Sequence, residues 1–291
     1  HTAYRRQRQM CIRDRIIGEM RDMKLKKVLG MVAVLTAFVT LAACGQKSEK
    51  DSWPDIQKKK EVVIGFDNTF VPMGFKDENG KNVGFDIDLA DAVFKKYDVK
   101  VKMQPIDWDM KETELKNGSI DLIWNGYSVT KEREKKVLFT NPYMKNEQVL
   151  VTKKSSKIDD VAGMKNKALG AQQGSSGYDA FTKQPKILMD IVKDNDATLY
   201  DDFNSALLDL KADRIDGLLI DNVYANYYLT KNGEINDYHI LTTGYDSENF
   251  AVGARKSDKK LVDNINKAFK ELHADGEFQK ISEKWFSEDV Y

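Results

Sequence analysis

The chain has 291 residues with 46 basic and 46 acidic side chains, so its formal net charge is zero. That balance argues against nucleic acid as a partner, which calls for a clustered basic excess, and it offers no polybasic grip on anionic lipid. With 41% hydrophobic and 10% aromatic residues, the body can bury real cores, enough for one large domain or two lobes of about 100 residues each.

Residues 1–22, irregular and basic from Arg5 to Arg21, read as an extraneous leader outside the fold. Met23-Lys24-Leu25-Lys26-Lys27 is a short cationic start, followed by an apolar run from Val28 to Leu41, then Ala42-Ala43-Cys44 and polar residues from Gly45. The apolar run is shorter than the roughly 20 residues that a bilayer span needs, and it ends in small residues. Residues 23–43 therefore resemble a bacterial lipoprotein signal, which implies lipidation at Cys44 and stable anchoring by two or more acyl chains. Residues 44–57 then read as the lipidated cysteine and a flexible tether. The other cysteine is Cys11. Residues 45–291 thus carry none, and an extracellular domain without disulfides must stand on its core. A Lys-rich, lipid-anchored, disulfide-free domain points to the outer face of a Gram-positive cytoplasmic membrane.

Further along, Glu61 to Phe66 is a β-type run and Asn79-Gly80 marks a turn. A helix follows Gly84-Phe85-Asp86, with Ile87, Ala90, Val93 and Phe94 on its inner face. Val99 to Met103 is the next strand. This order of strand, turn, helix and strand predicts parallel sheets with crossover helices. An internal echo comes next. Leu115-Lys-Asn-Gly-Ser-Ile-Asp121 precedes Leu122-Ile123-Trp124, and Leu210-Lys-Ala-Asp-Arg-Ile-Asp216 precedes Gly217-Leu-Leu-Ile220. Each predicts a helix end, a tight turn and a short buried strand, which runs into Asn125-Gly126-Tyr127-Ser128 in one case and Asp221-Asn222 in the other. Ligands of open α/β sheets sit at the carboxyl ends of strands, so the echo predicts two similar lobes facing one ligand. The tail predicts two helices. Ser257 caps the first, which carries Leu261, Ile265, Ala268, Phe269 and Leu272; Asp275-Gly276 breaks it, and Phe278, Ile281, Trp285 and Phe286 follow. His273 is expected at the surface.

Placed in order, Gly65 to Pro72, Val83 to Ala90, Ile120 to Ile123 and Ser128-Val-Thr-Lys-Glu-Arg133 with Phe139-Thr140 make up one part of a familiar pattern. Gln173-Gly174-Ser175, Ile215-Asp216 and Ala274-Asp275-Gly276 complete it. Over roughly Glu61 to Phe286 the sequence resembles the family-3 bacterial extracellular solute-binding proteins, the polar amino acid receptors of ABC importers. The resemblance implies an α/β fold, a two-lobed type II periplasmic-binding-protein clamshell with two crossover hinge strands. Lobe 1 would be 58–145 with 246–291, and lobe 2 would be 146–245. It implies a monomer that binds a free amino acid and hands it to a permease and ATPase complex, with no nucleic acid, cofactor or metal.

A free amino acid is a zwitterion, so such a site must supply both charges in a water-poor cleft. The resemblance makes Arg133 the carboxylate clamp, whose planar fork pairs both oxygens as a lysine cannot. Ser128, Ser175 and Ser176 assist it, the last two opening a helix whose N–H groups favour an anion. Asp221 and Gly126 would take the α-ammonium, although an aspartate at Asp221 could equally cap the helix that follows. Phe70 and Trp108 would sandwich the ligand side chain, with Asp67, Asn125 and Gln172 at its end. The chain departs from glutamine receptors, which carry Lys and His where it has Gln172 and Ile220. It also departs from histidine and lysine receptors, which carry adjacent serines where it has Asn125-Gly126. The expected ligand is glutamine first, then cystine or a basic amino acid. An acidic ligand ranks last because no second Arg or Lys is placed by motif.

Two rival functions remain on this fold. One is an enzyme of the cyclohexadienyl dehydratase kind. Against it, residues 45–291 contain only His239 and His273, in no metal or triad spacing, and no HExxH motif, P-loop or cysteine nucleophile. The other is an amino acid sensor that acts in trans on a signalling partner.

Overall fold

The computed structural model describes residues 50–290. The leader, the expected signal at 23–43 and Cys44 lie outside the described residues. Among the described residues no helix is long and apolar enough to cross a membrane.

Among the described residues, helix α1 (Trp53–Lys59) comes first, where a tether was expected to run to residue 57. Trp53 and Ile56 explain the difference. Lying three apart on one helical face, both are buried, and Trp53 meets Tyr97 edge-on with ring centroids 5.0 Å apart. The preceding Ser52 is tied down as well, its N–H donating to the Asp258 carboxylate at 2.8 Å.

Strand β1 (Glu61–Phe66) leads into a small antiparallel sheet of β2 (Thr69–Phe70), β3 (Gly74–Lys76) and β4 (Asn82–Val83), with Gly80 at positive φ in its turn. Helix α2 (Phe85–Lys95) buries the expected Ile87, Ala90, Val93 and Phe94. Strand β5 (Lys100–Pro105) then returns parallel to β1, with Glu61 facing Lys100. Helix α3 (Lys111–Asn117) and strand β6 (Leu122–Ile123) follow, then α4 (Lys131–Lys136) and β7 (Leu138–Phe139).

Strand β8 (Met144–Asn146) precedes a second set: β9 (Gln148–Lys153), β10 (Leu169–Gln172), α5 (Ser176–Lys183), β11 (Ala197–Tyr200), α6 (Phe203–Lys211), β12 (Gly217–Asp221), α7 (Asn222–Lys231) and β13 (Tyr238–Thr242). The chain ends in β14 (Glu248–Phe250), β15 (Gly253–Ala254), α8 (Lys259–Ala274) and α9 (Glu277–Phe286).

Two five-stranded sheets result, in the orders β5-β1-β6-β15-β7 and β11-β10-β12-β9-β13. Between them runs a two-stranded antiparallel ladder of β8 and β14, with Glu248 opposite Asn146. The chain leaves the first sheet through β8 and returns through β14. The fold is thus a two-lobed type II clamshell in which two hinge strands cross side by side.

The sequence echo has a structural counterpart. In the first sheet Asp121 locks onto one residue of β1: its N–H donates to the Val63 carbonyl at 2.7 Å, and its carboxylate accepts from the Val63 N–H at 3.1 Å. In the second sheet Asp216 makes the same pair of bonds to Ala168, both at 2.8 Å. Each preceding isoleucine fills the space over a strand glycine. A Cβ on Gly65 would lie 2.4 Å from Ile120, and one on Gly170 would lie 2.5 Å from Ile215. The repeated Ile-Asp is therefore a device for seating a helix-turn-strand unit against its neighbour, once per lobe.

Three details of the tail follow from packing. The helix begins after Asp258, not Ser257, and Asp258 makes no side-chain cap because its carboxylate is directed to Ser52 and Arg255. The predicted apolar stripe of α8 is buried in full. His273 is half-buried rather than at the surface, its ring stacked on Phe278 at 4.1 Å.

Candidate functional site

The strand ends converge where the lobes meet. Strand β1 runs out into Asp67, and β6 into Trp124-Asn125-Gly126-Tyr127-Ser128. The two ends are stitched together by Asp67 N–H donating to Asn125 Oδ1 at 3.0 Å. Gly126 adopts φ +56°, and its N–H is taken by Asp86 Oδ2 at 2.7 Å. Burial pushes the Asp86 carboxyl up to about 7. A Cβ on Gly126 would come within 2.8 Å of the Phe70 ring, so the glycine also makes room for that aromatic wall.

Arg133 sits in the first turns of α4, where Thr130 caps the helix by accepting from the Arg133 N–H at 3.2 Å. Its side chain is buried at 3% exposure and lies over the Tyr127 ring, 4.6 Å from the centroid. One guanidinium nitrogen donates to the Ser128 carbonyl at 3.0 Å. Another crosses to the second lobe and donates to the Gly174 carbonyl at 3.1 Å. These side-chain bonds go to neutral carbonyls, and the charge also acts on Glu112 and Asp221, so the guanidinium keeps N–H groups with which an anion could pair.

The second lobe supplies the opposite charge. Asp221 ends β12 and is buried; its side chain does not cap α7. Instead Oδ1 accepts from Asn146 Nδ2 at 2.6 Å and from Gln148 Nε2 at 2.8 Å, both on or beside the hinge strands. Burial first, and the nearby Glu248 carboxylate second, hold the Asp221 carboxyl above its ordinary range.

Ser128 and Ser176 meet across the cleft. The Ser176 hydroxyl lies 3.1 Å from that of Ser128, and both donate to Glu248 Oε2, at 2.9 and 2.6 Å respectively. Ser175 is engaged elsewhere: its hydroxyl oxygen caps α5 by accepting from Tyr178 N–H at 3.1 Å, and its own N–H goes to the Gln172 carbonyl. On the far side, Gln172 Nε2 donates to Asp67 Oδ2 at 3.0 Å, another bond between the lobes. The other Asp67 oxygen accepts from the Thr69 N–H and hydroxyl at 2.9 and 2.7 Å.

Every residue expected at the site is buried, and the structure divides them into two linked groups. Arg133, Ser128, Ser176 and Asp221 are joined through Glu248 and Gln148. Asp67, Asn125, Gly126, Phe70 and Gln172 form the other group. Trp108 stands apart, edge-on to Tyr127 at 5.9 Å with Lys111 over its ring at 5.0 Å.

Several participants were not singled out from sequence. Phe203 and Tyr224 extend the aromatic wall, 5.9 and 5.5 Å from Phe70. Gln148 and Glu248 connect the two charges. Lys111, the second cation that no motif placed, is almost fully buried and donates to the Trp108 and Gly174 carbonyls at 2.9 and 2.8 Å. Burial, then the neighbouring Arg133, lowers its ammonium to about 7. Among the described residues, no group of three or more His, Cys, Asp or Glu side chains could hold a metal ion.

Gly174 is a point of close approach between the lobes. It adopts φ +69°, and a Cβ there would lie 2.9 Å from Asp109 Oδ1 and 3.1 Å from Asp109 Cα on the opposite lobe. Gly174→Ala is expected to lose about 1–3 kcal/mol through backbone strain and to weaken ligand affinity as well, because the added methyl wedges the lobes apart. Gly80→Ala, at φ +77° with nothing within 4 Å of the new Cβ, isolates the strain. Equal ligand affinity in the two variants, measured by calorimetry, would remove the wedge argument.

With this geometry in hand, the comparisons are specific. The sequence pattern of the bacterial extracellular solute-binding proteins, family 3, matches residues 62–288. An ABC uptake transporter substrate binding protein from Streptococcus pneumoniae, solved with bound histidine, is 60% identical. The match covers 84% of this chain and 99% of that one, with a TM-score of 0.83. The arginine-binding extracellular protein ArtP of Bacillus subtilis (strain 168) is 30% identical over 90% of this chain and 99% of its own length. The L-cystine-binding protein TcyJ of Escherichia coli (strain K12) is 29% identical over 90% of this chain and 96% of its own.

Proposed function

The chain belongs to the bacterial extracellular solute-binding proteins, family 3, and from that premise we propose that it captures a free polar α-amino acid between its lobes and delivers it to an ABC importer. The observation that carries the reading is the pairing of buried opposite charges from different lobes. Arg133 offers its remaining N–H groups to an α-carboxylate, and Asp221 its carboxylate to an α-ammonium. Gly126, its N–H committed to Asp86, keeps its carbonyl for the ammonium. Lobe 1 is assigned to 58–145 with 246–291 and lobe 2 to 146–245, which the strand membership of the two sheets supports. Anchoring through a lipid on Cys44, as a monomer on the outer face of the membrane, completes the picture.

For the side chain, a cationic amino acid such as histidine or arginine now ranks ahead of glutamine. Asp67 is a buried carboxylate beside Phe70, held toward Gln172 in a space that an incoming cation would neutralise. The relatives solved with histidine and named for arginine support the same order. Ligand closure is driven by contacts that only a bridging zwitterion completes.

Calorimetry of the soluble domain against the twenty amino acids and cystine tests this. Histidine or arginine is expected to bind tightest, and at 100 times the dissociation constant to add about 2.7 kcal/mol to the folded state. Asp67→Asn should cut affinity for cationic ligands more than for glutamine. No binding to any amino acid would overturn the proposal, and turnover of prephenate or arogenate would replace it with an enzyme. His239 lies on the edge strand β13 opposite Thr152, and His273 lies near the end of α8 with its ring stacked on Phe278.

A further inference from the structure

Glu248 has no place in the two-charge reading, yet it occupies the centre of the site. It lies on hinge strand β14, and one of its oxygens collects three donors: the Ser128 hydroxyl from lobe 1 at 2.6 Å, the Ser176 hydroxyl from lobe 2 at 2.9 Å and Gln148 Nε2 at 3.1 Å. The same Gln148 nitrogen donates to Asp221 Oδ1 at 2.8 Å. One amide nitrogen therefore stands between two carboxylates, and among the described residues no cation is placed between them.

We propose that Glu248 is a positioning residue for the ammonium end of the site, fixing Ser128, Ser176 and Gln148 in the closed arrangement and making a cation's arrival beside Asp221 expel a proton. This rests on the amino acid reading above and deepens it. The geometry gives the reason. Two acceptor groups sharing one donor repel each other when both are ionised, so the more buried of the two keeps its proton. Asp221 is fully enclosed, while Glu248 is partly open along the hinge.

The charged groups that face Asp221 are few. Glu248 on β14 raises its carboxyl and Arg133 on α4 lowers it, with the neutral amides of Asn146 and Gln148 on the hinge side. Burial and Glu248 win, and the carboxyl is pushed up to about 7. An α-ammonium brings the missing positive charge and restores the ordinary acidity. The neutral carboxyl gives its proton to solvent, and the carboxylate pairs with the ligand cation. The sign follows. Because the ligand-bound site holds fewer protons, affinity rises with pH between the ordinary carboxylate value of about 4 and the raised value, by at most about tenfold per pH unit for one proton.

The test is calorimetric. L-Arginine, whose side chain does not titrate in this window, is bound to the wild-type protein from pH 5 to 8 in buffers of different ionisation enthalpy. L-Histidine serves as a second probe, with its own imidazole titration subtracted. The wild type is expected to release close to one proton near pH 6. Glu248→Gln, which keeps an oxygen for both hydroxyls but removes the charge, should still bind while its proton release falls by at least half and its affinity profile flattens. Binding by the wild type without proton release overturns the proposal whatever the variant does. So does an unchanged proton release in Glu248→Gln. Failure of the wild type to bind any amino acid would instead strike the underlying reading.

Discussion

Arg133→Ala is expected to weaken amino acid binding by about 30- to 4,000-fold, equivalent to roughly 2–5 kcal/mol, while the domain stays folded. The size comes from leaving a buried ligand carboxylate without its ionic partner. The fold survives because the bonds lost are few: Gly174 keeps Lys111 as a donor to its carbonyl, and only the Ser128 carbonyl is stranded. Arg133→Lys should recover little, since an ammonium cannot reproduce the fork that bridges two oxygens or lie flat over Tyr127. Calorimetry paired with thermal unfolding separates the two effects. Near-normal affinity in Arg133→Ala would end the assignment of the carboxylate clamp.

The second large effect is expected from Asp221→Asn. The amide oxygen can still accept from Asn146 and Gln148, so the loss is that of the charge facing the ammonium. Affinity should fall for α-amino acids of every side chain alike, by about 10- to 150-fold, the range of a charged hydrogen bond at roughly 1.5–3 kcal/mol. Stability should move the other way. A carboxyl whose folded value is raised leaves the fold unburdened below its unfolded value and costs stability as pH rises through the folded one. The ligand-free variant should therefore unfold at a higher temperature than the wild type at pH 8 and at a similar one at pH 4. A change in side-chain preference alone would mean that Asp221 reads the side chain and another group holds the ammonium.

Much of this architecture was legible because its signals are local. The Ile120-Asp121 and Ile215-Asp216 echo works through adjacent residues that fill a glycine gap and pin a strand, so the spacing alone marks the unit. Arg133 was legible only within its motif, since Lys131 to Lys136 by itself has the composition of a solvated helix. Lys111 and Glu248 were not legible. Each sits in a charged stretch indistinguishable from surface, and each gains its partners from distant segments: Lys111 is buried against the Gly174 carbonyl, and the half-buried Glu248 meets Ser176. The first helix was hidden for a related reason: Trp53 and Ile56 are two apolar residues in a polar run, and Tyr97, the ring that Trp53 meets, is more than forty positions away. Ligand preference was the least legible of all, since the Asp67–Gln172 bond joins residues 105 positions apart.

The wedging of β15 between β6 and β7 sets an order on how the chain can acquire its shape during synthesis. The sheet that begins first in sequence lacks an inner strand until Ala254 has been made, whereas every strand of the inserted sheet is present by Thr242. The later-starting half is thus the first able to finish on the ribosome, reversing the N-terminal-first order usual for consecutive domains. Until then the exposed edges of β6 and β7 are the surfaces that a chaperone would have reason to cover.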